Sequence, residues 1–143
     1  MSLRRKAREK ALQILYRVDI AEGGVEENFA SDSENSLPEE ALEYAEHLVR
    51  GVIERKKEID ETIESISEHW RLDRMAFVDR NILRIAAFEL LYCPDVPSKV
   101  AIDEAVELAK RFGSEQSPPF INGILDRVYK EAVQKKTAAA RPV

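Results

Sequence analysis

Apolar residues recur at three- and four-residue spacing along almost the whole chain, a period that argues for helices throughout. Ala7, Ala11, Ile14, Leu15 and Val18 make the first stripe, and Leu42, Ala45, Val49 and Val52 the second. Ile59, Ile63 and Ile66 make a third, in a helix expected to end near Trp70. Met75, Val78, Ile82, Ile85 and Ala86 mark a fourth, Ile102, Ala105, Val106 and Ala109 a fifth, and Ile121, Ile124, Leu125 and Val128 a sixth. The breaks fall between them: Gly23-Gly24 with a polar loop from Ser31 to Ser36, then Pro94-Asp95-Val96-Pro97, then Gly113. Ser36 and Glu39 around Pro38 read as a capping box, Asp73 as the cap of the fourth helix, and Ser117-Pro118 as the start of the sixth. There is no alternating strand pattern and no internal repeat. The 143 residues are expected to form one all-α domain of six helices. The tail over 134–143 has little to bury and is expected to fray.

Several classes of chemistry lack their residues. Cys93 is the only cysteine, so an intramolecular disulfide is ruled out; a buried, inert thiol in a reducing compartment is expected. A di-iron site in a helical bundle needs Glu-x-x-His pairs, but Tyr44 and Ile66 stand three residues before His47 and His69. HExxH, GxxxxGK and GxGxxG are absent. No metal, cofactor or enzymatic activity is expected. No window reaches the roughly 18 apolar residues that span a bilayer, and the start lacks a cleavable leader pattern, so the chain reads as cytoplasmic with no membrane partner.

Three residues break the helical pattern. Glu89 follows Ile82 by seven positions and Ile85 by four, on an apolar stripe. A buried carboxylate costs several kcal/mol unless paired, so an internal partner, an arginine for choice, is expected. Gly51 and Gly123 sit inside helices, where close approach of a neighbouring helix is the ordinary reason.

The chain has a formal net charge of −5, yet it opens MSLRRKAREKALQILYRV. Six cations, Arg4, Arg5, Lys6, Arg8, Lys10 and Arg17, face one acid, Glu9, in the first seventeen residues. Wound as a helix, Arg5, Glu9, Gln13 and Tyr16 form one outward line, with Lys6, Lys10 and Arg17 beside it. Cations that pair with phosphates and an aromatic that stacks on bases are the equipment of single-stranded RNA binding. On this evidence alone, docking on an acidic protein or a membrane surface stays open.

RMAFVDRNILRIAAFELLY and DVPSKVAIDEAVELAKRFGSEQSPPFINGILDRV, together with RRKAREKALQILY at the start, closely resemble the NusB family of bacterial transcription antitermination factors. The resemblance runs over about residues 4–130. It implies two packed three-helix bundles, about 1–70 and 71–133, forming one RNA-binding domain. It also implies binding to boxA RNA with NusE, a small-subunit ribosomal protein, in the elongating RNA polymerase complex with NusA and NusG, notably on rRNA operons. A ribosomal RNA methyltransferase uses the same fold as an N-terminal domain, but a chain of this length is expected to have no room for its catalytic part.

Carried over by position, the RNA face comprises Arg4, Arg5, Lys6, Arg8, Gln13 and Tyr16, with Gln116 and Phe120 at a helix N-terminus that favours phosphate. Trp70, Asp73 and Asp79 are the implied NusE contacts. Relatives often carry a basic residue where this chain has Pro119, which removes one phosphate contact or stiffens the cap. The residues also allow plainer roles: Phe120 as a core plug, Tyr16 as packing, Asp73 as a cap alone. A protein-interaction module without specific RNA binding is the competing reading, and whether the free protein forms a homodimer stays open.

Overall fold

Every residue from Asn81 to Leu90 is buried, on all sides of the same helix. Such a segment must be enclosed by other elements, and the computed structural model, which describes residues 2–21, 37–67 and 70–134, shows how. Helices α1 (Leu3–Ala21), α2 (Glu39–Glu54) and α3 (Lys56–Ile66) precede it, α4 (Phe77–Tyr92) contains it, and α5 (Ser98–Phe112) and α6 (Ser117–Val128) follow. A 3-10 turn spans Leu72–Arg74 and a π-helical turn spans Tyr129–Gln134. Helix α4 packs against each of the other helices. One cluster of buried residues therefore runs continuously from Leu12 and Leu48 through Ile63 and Leu83 to Leu108 and Leu125. The described residues are all-helical, without strands, as the periodicity predicts.

The buried carboxylate of Glu89 has the internal partner expected of it. Arg8 donates from Nε and Nη2 to its two oxygens at 2.9 and 2.8 Å, and the Tyr44 hydroxyl donates to Oε2. Helices α1, α2 and α4 meet at this cluster. Burial, and then the bond to Glu89, push the Tyr44 phenol above its usual range. At the other end of α1, Asp19 receives Arg80 at 2.7 and 2.8 Å and the Asn81 amide at 3.0 Å. Arg84 extends that network to Asp60 of α3 at 2.9 and 3.1 Å.

Element boundaries differ from the sequence pattern in places. Helix α3 ends at Ile66, before Trp70, because the Ser67 hydroxyl bonds back to the Ile63 carbonyl and forward to that of Trp70. Asp73 does not cap α4. Leu72 and Met75 are both buried, and the extended backbone at Met75 and Ala76 that seats them delays α4 to Phe77. Helix α2 starts at Glu39, with the Pro38 carbonyl accepting the Ala41 and Leu42 N–H groups. Ser36, the break at Gly23-Gly24, the loop before Ser36, His69 and the tail past Gln134 lie outside the described residues. Leu42 is half-buried, and Ala41 and Leu48 take the inner positions of α2.

Cys93 is buried with Sγ 3.7 Å from His47 Nε2, and burial pushes its pKa up to about 11, so it stays a thiol at neutral pH. Gly51 meets a close neighbour: a Cβ there would lie 2.1 Å from the Phe88 ring. Gly123 does not; open space surrounds it, contrary to the expectation of a neighbouring helix.

Two stability measurements follow. Arg8→Met or Glu89→Leu alone should cost about 3–5 kcal/mol in urea unfolding, and the double variant much less than the sum, because a single change strands a buried charge. Gly51→Ala should destabilise by about 1–3 kcal/mol through overpacking, whereas Gly123→Ala should stabilise by up to about 1 kcal/mol.

Candidate nucleic-acid interface

Pairing Arg8 inward fixes the rotation of α1. Ala7, Arg8, Ala11, Leu12, Ile14 and Leu15 are buried, while Gln13, Tyr16 and Ile20 are exposed and Arg5 and Glu9 half-exposed along the opposite line. The six cations of the opening therefore divide. Arg8 is 3% exposed and its Nε and Nη2 are both taken by Glu89, so it leaves the set available to a phosphate. Its place was hidden because an arginine beside an apolar stripe reads as solvated unless its counter-charge, here 81 residues away, is known. Lys10 is buried too and does not flank the outer line. Arg4 and Arg5 reach the surface. Arg4 meets Asp95 at 3.2 Å and lies over the Tyr44 ring at 4.4 Å. Arg5 donates to both oxygens of Glu104 at 2.9 and 3.2 Å, and Arg111 from the end of α5 pairs with Glu9.

The second half of the interface is the start of α6. The Ser114 N–H donates to the Ser117 hydroxyl at 3.0 Å, and Ser117 is buried. Gly113 is required beside it, since a Cβ would approach the Ser117 hydroxyl to 2.6 Å. This turn sets Gln116 outward and Phe120 half-exposed, with the Phe120 ring edge-on to Trp70 at 5.8 Å. The expected phosphate-binding amides are not there. Pro118 and Pro119 have no N–H, and those of Ser117 and Phe120 donate to the carbonyls of Ser114 and Gln116. The cap is thus a stacking surface more than an anion site.

Trp70, Asp79, Gln116 and Phe120, which the sequence divides between two partners, line one cavity of about 160 Å³ together with Arg74 and Met75. Asp79 Oδ1 is buried there without a hydrogen-bond partner among the described residues. Asp73 lies off this cavity, exposed and 3.4 Å from Arg71. Tyr16 leans edge-on to Phe77 at 6.2 Å, and the Arg80 guanidinium covers the Phe77 ring at 4.2 Å. Ile20 and Phe77 are exposed apolar residues beside Tyr16 that the sequence reading missed. Continuing the outward line of α1 by one turn past Tyr16 reaches Ile20, a signal that was present. Phe77 carried none, being indistinguishable from a core residue.

The NusB family model matches residues 5–130. The transcription antitermination protein NusB of Anaeromyxobacter dehalogenans is 51% identical over 129 residues, covering 89% of this chain and 90% of that protein. Its counterpart in Myxococcus xanthus is 48% identical over 133 residues, covering 90% and 95%. Among solved structures, T. maritima NusB matches with a TM-score of 0.85 at 38% identity, covering 95% of this chain and 96% of that one. A NusB chain solved with NusE and double-stranded RNA matches with a TM-score of 0.82 at 32% identity, covering 91% and 98%.

Proposed function

The chain belongs to the NusB family of transcription antitermination factors, and we propose that it binds the boxA segment of nascent RNA together with NusE, as an adaptor and not as an enzyme. The observation that carries this reading is that α1 presents surface cations together with the exposed Tyr16 ring, and the start of α6 adds the half-exposed Phe120. Arg4, Arg5 and Lys6 supply charge for phosphates; Tyr16 and Phe120 supply planes for bases, with Gln13 and Gln116 as amide donors and acceptors. Arg8 serves this face indirectly, by orienting the helix that carries it.

NusE docks, in this reading, over Asp79, Trp70, Ile20 and Phe77. A carboxylate oxygen buried without a donor costs about 1–3 kcal/mol, and a donor from a basic ribosomal protein recovers it. The solved relative that carries NusE and RNA supports the choice of partners. Asp73 is a peripheral contact. Family membership supports an assembly with RNA polymerase, NusA and NusG on rRNA operons, in the cytoplasm; among the described residues no helix is long and apolar enough to cross a membrane.

Fluorescence anisotropy of a boxA-type RNA against a scrambled control, with and without NusE, tests this reading. Sequence-selective binding, tightened by NusE, is expected. Phe120→Ala should weaken it by about 1–3 kcal/mol, the worth of one stacked base. Asp79→Asn should leave RNA binding by the protein alone unchanged and reduce the NusE effect. Binding indifferent to sequence and to NusE would favour the protein-interaction module instead.

A further inference from the structure

On its α5 side the basic helix does not present a free positive surface. Between α1 and α5 lies a concavity of about 230 Å³ lined by four cations, Arg5, Arg8, Lys110 and Arg111, and three acids, Glu9, Glu104 and Glu107, with Arg8 already committed to Glu89. The Arg5–Glu104 pair is the most constrained of these contacts. The Glu104 side chain is only 15% exposed while that of Arg5 is 43% exposed, so the carboxylate is fixed by the fold and the guanidinium is hung from it. Glu104 takes the Nε and Nη2 edge of the planar fork. The donors on the opposite edge, at Nη1 and Nη2, remain for a ligand, in one orientation. The hydrogen bond that Arg5 donates to Glu104, the charge of Glu104, and those of Glu107 and Glu9 raise the Arg5 pKa further, so the cation is always present yet locally cancelled.

We propose that Glu104 is a specificity-determining residue of the RNA face: it aims Arg5 at one phosphate position and cancels the charge that would attract RNA of any sequence. The inference rests on the RNA-binding reading above. Non-specific binding is driven by phosphate neutralisation, which needs net positive charge and tolerates any register. RNA positioned by stacking on Phe120 and Tyr16 delivers a phosphate to the aimed edge and does not need that net charge. Glu104 thus weakens the wrong complexes more than the right one.

The test compares wild type, Glu104→Gln and Glu104→Asp with a boxA-type RNA and a scrambled RNA of equal length, across a salt series. One added phosphate contact contributes about −0.7 to the log–log salt slope for single strands, or about fivefold in affinity at 0.1 M relative to 1 M. Glu104→Gln should bind scrambled RNA about fivefold tighter with a slope steeper by about 0.7, and boxA-type RNA within about twofold of wild type, so selectivity falls. Glu104→Asp keeps the charge and should hold scrambled RNA near the wild-type affinity. Thermal unfolding of each variant reports the fold separately. If wild type is selective but Glu104→Gln shifts both RNAs equally, or weakens both with a lowered melting temperature, Glu104 is structural and the proposal is overturned while the RNA reading stands. If wild type itself does not discriminate the two RNAs, the RNA reading fails and the proposal falls with it.

Discussion

Arg8 is drawn into the interior by Glu89, and the orientation of the first helix follows from that pairing. Glu89 stands on α4, the helix enclosed by all the others, where a carboxylate without partners would be several kcal/mol unfavourable. Two guanidinium donors and the Tyr44 hydroxyl satisfy it. An apolar pair of similar volume could be equally stable, but it would not define a rotation as a bidentate fork does. The Asp19–Arg80 pair pins the same helix about 16 Å further along its axis. With both ends fixed, Arg5, Glu9, Gln13, Tyr16 and Ile20 point outward as one line. The interior pair thereby decides which side chains reach a ligand.

That arrangement gives each cation of the opening its own environment. Arg8 and Lys10 are buried, Arg8 setting the orientation, and two at the surface are held by carboxylates from distant parts of the chain, Asp95 and Glu104. Charge is cancelled locally while hydrogen-bonding edges remain. The aromatic surface is built differently. Phe120 is carried by a helix whose first turn lacks free amides because of its two prolines, and Trp70 closes on it from the far side of the cavity. Affinity from stacking and restraint from paired charges favour recognition of particular unpaired bases over attraction to any phosphate chain.

Much of the fold was legible because it depends on local periodicity. Apart from Met75, which precedes α4, the six apolar stripes lie on six helices, Gly113 ends α5, and Glu89 declared its need of a partner. What was hidden depends on distant residues. The family resemblance places Arg8 with Arg4 and Arg5 on the RNA face, and nothing local in the sequence marks it as the partner of Glu89. Asp73 has the chemistry of a cap, but the burial of Leu72 and Met75 fixes where α4 begins. The amides of α6 looked available for phosphate until the turn from Ser114 to Phe120 used them. Gly51 and Gly123 look alike in sequence, and only the ring of Phe88 against one of them tells them apart.

The central claim is a location: RNA lies along the outer line of α1 and over the start of α6. Ultraviolet cross-linking of the protein to a boxA-type RNA, with the attached peptides mapped by mass spectrometry, tests that location directly. Stacked aromatics cross-link preferentially, so attachment is predicted in the peptides that contain Tyr16 and Phe120. Attachment concentrated on the acidic surfaces of α2 and α3 would contradict the account.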